Sequence, residues 1–259
     1  MSLVDTHAHL MDRAFDADRD AVLARARKAG VAALVLVGYD LLTSRLAVEL
    51  AQKLPNAVAT VGIHPNASGS AGEHDFDSIA ELAKHPTVAA IGETGLDYYR
   101  DRTVPKRQRE ALDWHLQLAR TRQLPLIIHN RHADEDVANM LESHTGPPGV
   151  LHSFSSTDRD FADRMLEKGY FFSLAGPLTY PSSEALRELV KVLPNDRLLV
   201  ETDCPYLPPQ TKRGRRNEPG YITETARCLG QLTDITTEQL WSNSVRVFPA
   251  LAGVTQDIA

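Results

Sequence analysis

The stretch "VDTHAHL", residues 4–10, opens as an apolar strand and ends in two histidines. Side chains two apart on a strand share a face, so His7 and His9 point the same way, with Asp5 behind them on that side. Two neutral imidazoles side by side can share one divalent cation, whereas two imidazoliums would repel. One packed and one solvated histidine would explain the pair as well. The decision therefore rests on how the other strands end.

Apolar, β-rich runs follow "LVDTH" (3–7) at "VAALVLVG" (31–38), "AVATVGIHP" (57–65), "TVAAIGET" (87–94), "LPLIIHN" (124–130), "GVLHSF" (149–154), "GYFFSLAG" (169–176) and "DRLLVETD" (196–203). Helical patterns lie between them. "RDAVLARARKAG" (19–30) and "DRDFADRMLEKG" (158–169) both end on glycine, and the second begins on an N-cap residue, Asp158. "QREALDWHLQLARTRQ" (108–123) and "SSEALRELVKVL" (182–193) follow the same grammar, and "GYITETARCLGQL" and "TTEQLWSNSVRVFPAL" supply closing helices. Eight strand signals alternating with helices predict an α/β fold, a (β/α)8 TIM barrel, as a single domain over residues 1–259. A doubly wound open sheet is the alternative that periodicity leaves open.

The polar residues gather at one end of these strands: His7 and His9, then His64, Glu93, His129, His152, and finally Glu201 with Asp203. In a parallel barrel the carboxyl ends open onto one face, where sites form. Imidazole and carboxylate suit Zn, Mn or Mg better than Cu(I) or an Fe–S cluster. His7, His9 and Asp203 make one expected site and His129 with His152 a second. Glu93 has two oxygens with which to bridge ions about 3.5–4 Å apart. Of Glu201 and Asp203, one is expected to bind metal while the other orients a neighbour.

The remaining composition sets bounds. The chain has 259 residues and a net charge of −6, so nothing attracts nucleic acid in general and any phosphate binding must be local. No apolar run is long enough for a membrane span, the first residues lack the pattern of a signal peptide, and two cysteines cannot build a disulfide scaffold. A cytoplasmic setting is expected, with Cys204 packed and unreactive. His74, His85 and His144 are expected in solvent, His115 sits mid-helix, and His132 is a lesser candidate for substrate contact.

"VDTHAHL", "VGIHP", "AIGETGLDYYR", "LPLIIHNRHA", "LHSFS", "LLVETDCPYLPP" and "RRNEPGY", in that order, resemble the motifs of the TatD-type metal-dependent deoxyribonucleases, TIM barrels of the amidohydrolase-like superfamily. The resemblance spans residue 4 to about 248. It implies His7, His9, Glu93, His129, His152 and Asp203 as ligands of two divalent metal ions, and His64 as a catalytic residue near the scissile phosphate. Related two-metal barrels often bridge their ions with a modified lysine; here Glu93 takes that place. Ser156 and Ala175 stand where such proteins carry glycine, which bears on the substrate loops.

Two basic segments, "YYRDRTVPKRQR" (98–109) and "TKRGRRNEP" (211–219), flank the expected site and suit a phosphate backbone. Arg100 and the loop around Arg215, with Asn217, are expected to position substrate. The reading is a metal-dependent hydrolase that cleaves phosphodiester bonds, most simply in DNA, with Asp203 as ligand and general base. The runner-up is a small-molecule amidohydrolase or phosphoesterase on the same barrel. A catalytically silent metal-binding protein stands third, against which the complete ligand set argues.

Overall fold

A computed structural model describes residues 2–253; the expected domain runs past this at both ends, and residues 1 and 254–259 lie outside the described residues. Eight strands, β1 (Leu3–Ala8), β2 (Val31–Val37), β3 (Ala57–Val61), β4 (Val88–Asp97), β5 (Leu126–Arg131), β6 (Val150–Leu151), β7 (Phe171–Leu174) and β8 (Leu198–Val200), pair in sequence order. Every neighbouring pair is parallel. The first and last strands meet just past the end of β8. There Ala8 bridges Cys204, the Asp203 N–H donates to the His7 carbonyl at 2.9 Å, and the His9 N–H donates to the Cys204 carbonyl at 2.9 Å. An open doubly wound sheet reverses its strand order and leaves two free edges. This sheet does neither; it is a TIM barrel.

The alternation of side chains builds two apolar layers. Ala33, Val35 and Val37 of β2 join Val4, Val58, Ile127, Val150, Phe171 and Leu199 inside the barrel. Leu34 and Leu36 face outward, into the layer shared with the surrounding helices. These helices are α1 (Arg19–Lys28), α2 (Leu41–Lys53), α3 (Glu73–Leu82), α4 (Pro105–Arg122), α5 (Asp134–Glu142), α6 (Arg159–Glu167), α7 (Glu184–Val190), α8 (Ile222–Thr233) and α9 (Thr237–Val247). Asp158 caps α6 through the Asp160 and Phe161 amides, as its position in the sequence predicts. Val247, Phe248 and Leu251 pack into the interior cluster toward the amino-terminal ends of the strands, which leaves the opposite end free for polar groups.

Several strands differ from the sequence expectation, β3 and β7 by being shorter. β6 and β8 are shorter, because Ser153 (φ 44°) and Asp203 (φ 56°) take left-handed backbone conformations that no strand can run through. β4 is longer, so Glu93 lies within it and not at its end. The cause is Gly95, at φ 141°, where a Cβ would stand 1.9 Å from the His129 carbonyl oxygen. Only glycine lets β4 run on against β5 here. His144 also departs: it is 7% exposed, with Gly146 folded over its ring.

His115 is fully buried in α4, where its Nε2 accepts the Ile63 N–H at 3.0 Å and its Nδ1 donates to the Ala111 carbonyl at 2.6 Å. Burial pushes this imidazole down to about 4 from 6.5, partly offset by the Ala111 carbonyl. The unfolded chain therefore takes up this proton first. The stability from neutral His115 is full above about pH 6.5 and is lost as the pH falls toward 4, about 3 kcal/mol in all. His115→Gln should be less stable at pH 7 yet lose less on moving to pH 4.5, as read by urea unfolding at both. Equal losses in variant and parent would contradict this.

Candidate metal centre

The ligand candidates come from the carboxyl-terminal part of their strands or just beyond it, except Glu93, which lies within β4. His7 and His9 leave β1 on one face, with their Nε2 atoms 3.2 Å apart. His9 Nδ1 donates to the Val37 carbonyl at 2.7 Å, which fixes the tautomer and turns the Nε2 lone pair inward. The closed seam delivers Asp203, whose Oδ1 lies 3.3 Å from His9 Nε2 and 3.8 Å from His7 Nε2. From β5 and the end of β6, His129 Nδ1 and His152 Nε2 approach to 3.2 Å.

Glu93 divides its oxygens between these groups. Oε2 faces His7 at 3.6 Å and His9 at 3.9 Å, whereas Oε1 faces His152 at 2.9 Å, His129 at 3.0 Å and His64 at 3.4 Å. Burial would raise this carboxyl, but His152, His64 and His129 outweigh it and hold Glu93 well below the carboxylate range. For His152 the balance reverses: burial lowers it, and Glu93 with Glu201 lifts it well above the ordinary imidazole value. Asp203 is likewise held down, burial being outweighed by His9, His7 and His152.

Around these groups stands a second set that aims them. Glu201 Oε1 accepts from His152 Nδ1 at 3.2 Å and from the Ser153 N–H at 2.8 Å, so of the two acidic residues past β8 it is Glu201 that orients a histidine. Asp97 Oδ2 faces His129 Nε2 at 3.5 Å and accepts from Asn66 at 2.8 Å. Asp97 does not figure among the sequence candidates. Its signal was its spacing, four residues from Glu93 and thus on the same strand face. Asp5 takes no part in the ligand set: its carboxylate accepts the Thr202 amide at 2.9 Å and hydroxyl at 2.5 Å.

His64 differs from the other histidines. The Asn66 N–H donates to its Nδ1 at 3.0 Å, so the ring proton sits on Nε2, the atom facing Glu93. Burial pushes it down to about 3, which leaves a neutral N–H donor at the centre's edge. The "IHP" turn hydrogen bond and the placement in the site thus coexist.

The donor chemistry fits a divalent cation. Paired imidazole nitrogens 3.2 Å apart converge with two ionised carboxylates. His7, His9 and Glu93 offer ligand atoms within 4.8 Å of one another, as do His64, Glu93 and His129, and His7, His152 and Asp203.

The expected substrate contacts separate. Arg100 lines a cleft of about 820 Å³ whose walls include His9, His64, Glu93, His129, His152 and Asp203, together with Arg102, Arg131 and Tyr206. Asn217 is a correction: it is fully buried, and its amide donates to the Thr202 and Tyr206 carbonyls at 2.8 and 2.7 Å. It shapes the turn after β8 and has no surface to offer substrate. Arg215 is exposed and lies outside the cleft lining. Its neighbour Arg216 is spent on Asp18 through two 2.8 Å bonds, and Lys212 stands 3.7 Å from Glu224. Of the two departures from glycine, Ser156 donates to Asp134 at 2.6 Å and Ala175 is buried.

A parallel eight-stranded barrel with a histidine–carboxylate cluster at the carboxyl ends of its strands is a metal-dependent hydrolase. More narrowly, the chain belongs to the TatD-related DNase family, whose model matches residues 4–251. It is 38% identical to the uncharacterized metal-dependent hydrolase YabD of Bacillus subtilis, over 95% of this chain and 98% of that one. It is 34% identical to the 3′–5′ ssDNA/RNA exonuclease TatD of Citrobacter rodentium, over 94% and 99% of the two chains. Among solved structures, the TatD homologue YjjV of Escherichia coli K12 superposes with a TM-score of 0.91 at 30% identity, covering 95% of this chain and 98% of that one.

Replacing Glu93 by alanine should leave the fold intact, since the barrel's apolar layers do not include it. Metal affinity should fall by at least about tenfold, with loss of hydrolysis. Elemental analysis after dialysis, beside circular dichroism, checks both. Wild-type metal content with normal turnover would take Glu93 out of the centre.

Proposed function

We propose that the protein is a nuclease that hydrolyses phosphodiester bonds in single-stranded nucleic acid, DNA foremost, with two divalent ions of the Mg, Mn or Zn type. The observation that carries this reading is the cleft: Arg100, Arg102 and Arg131 line it above the ligand cluster, in a chain of net charge −6. Local cations beside a metal centre suit a phosphate backbone, which an amide or lactone ring would not need. Relatives named as single-strand exonucleases support the same reading.

In this proposal His7, His9 and Asp203 would hold one divalent ion and His129 and His152 the other, with Glu93 as a ligand candidate common to both groups. Divalent cations held there would acidify a water and neutralise charge on the phosphate and leaving oxygen. Asp203, ionised and at the cleft wall, accepts the proton of the attacking water. His64 presents its Nε2–H to a phosphate oxygen, as a neutral donor. Arg100 and Arg102 fix the backbone on the side of the loop after β4. Free thiols at Cys204 and Cys228 suit a reducing compartment, the cytoplasm. No helix among the described residues is long and apolar enough to cross a membrane.

The direct test is metal-dependent release of nucleotides from 3′- and 5′-labelled single strands, with Asp203→Asn beside the parent. Asparagine keeps the shape and cannot accept the proton, so kcat should fall by at least about 10²-fold while DNA binding changes little. No release with any of the three metals would remove the nuclease reading.

The salt dependence of binding locates the phosphate contacts. On single strands each neutralised phosphate contributes about −0.7 to the slope of log K against log salt. Replacing both Arg100 and Arg102 with alanine should flatten that slope by about 1.4. The Arg213/Arg215 double variant, outside the cleft lining, should change it far less. The opposite ranking would return the contact to the loop after β8.

A further inference from the structure

Among the described residues, the large hydrophobic side chains left exposed include two aromatics, Tyr99 at 57% and Tyr206 at 50%. Tyr206 is part of the cleft wall, and Tyr99 adjoins that wall in the chain, two residues after Asp97 and directly before Arg100, both of which line it.

Tyr99 is also held in place. The Asp97 Oδ1 accepts the amides of Tyr99 at 3.1 Å and Arg100 at 3.0 Å, so the turn carrying the ring is tied to the strand that bears Glu93. The Arg131 guanidinium lies over the ring, 4.0 Å from its centroid, and the His132 ring stands edgewise to it at 5.2 Å. A ring backed by a cation, immobilised beside three cleft arginines, has the composition of a single-strand stacking platform, in which aromatics carry bases and cations carry phosphates.

We propose that Tyr99, backed by Arg131, stacks a nucleobase next to the reacting phosphate and thereby selects unpaired strands. The proposal rests on the nuclease reading and specifies its substrate. In a duplex an internal base has both faces covered and a terminal base is held by its pair and its one stacked neighbour, so the platform can take a base only once the end frays. A minimal phosphodiester with no base at that position gains nothing from it either. This also gives His132 its place, as the ring that abuts the platform edgewise.

The test compares kcat/KM for a short single-stranded DNA, for the same strand with abasic sites in its terminal nucleotides, and for a small chromogenic phosphodiester. Tyr99→Ala should lower the ratio of oligonucleotide to chromogenic kcat/KM by roughly tenfold or more, carried by KM. Tyr99→Phe keeps the ring and should restore most of it. In the parent, abasic sites should reproduce the loss, and in Tyr99→Ala they should add little. If Tyr99→Ala keeps the parent's ratio, or abasic and normal strands are cleaved alike by the parent, the platform is wrong and the nuclease reading stands. If the parent cleaves the chromogenic ester and no oligonucleotide at all, the nuclease reading itself has failed. Metal content and thermal unfolding of each variant separate a lost platform from a disturbed site.

Discussion

The barrel closes through two backbone hydrogen bonds, from the Asp203 N–H to the His7 carbonyl and from the His9 N–H to the Cys204 carbonyl, and the site depends on that seam. Those residues are separated by almost the whole chain, yet three are ligand candidates. Closure therefore completes the site: until the last strand docks on the first, Asp203 meets neither His7 nor His9. Asp5 reinforces the seam from inside by accepting both donors of Thr202, at the cost of a buried carboxyl that burial lifts to about 7. Farther out, Arg25 grips Glu218 through bonds of 2.8 and 2.6 Å, and Arg216 grips Asp18. These ion pairs tie the loop after β8 to α1, across the same join.

The centre itself is organised by opposed charge in a dry place. A lone buried carboxylate is costly, and one ringed by imidazoles is not. Glu93 satisfies that condition with five histidines at 2.9–3.9 Å. Three of those imidazoles are aimed by groups of different character: a backbone carbonyl at Val37 for His9, and carboxylates at Asp97 and Glu201 for His129 and His152. The carboxylate-backed pair is the more electron-rich, so the two halves of the cluster differ in basicity even with similar ligands.

The sequence made this legible unevenly. Alternating apolar runs and helical stripes pointed to the barrel, because each layer's period is written in the residues themselves. The ligand candidates were legible because a buried strand has few reasons to end in His or Glu. What could not be read was partnership. "RGRR" looks the same whether its arginines meet phosphate or, like Arg216, an aspartate some two hundred residues earlier. Asn217 likewise read as a polar loop residue, and only the fold shows its amide consumed by backbone carbonyls. Strand lengths failed for a local reason: the left-handed turns at Ser153 and Asp203 occur at residue types that permit many conformations, so nothing in the letters marks them.

Asp97 connects the two functions that the site must perform together. One of its oxygens faces the ligand candidate His129; the other holds the amides of Tyr99 and Arg100. Both sets of contacts radiate from a carboxylate at the end of β4, the strand that also bears Glu93. A loop that merely carried positive charge would find a phosphate in many registers, because Coulomb attraction is undirected. A loop pinned to the same carboxylate that aims a metal ligand can present its guanidinium and its ring only at a fixed offset from the reacting centre. Register on the strand is then set by the barrel.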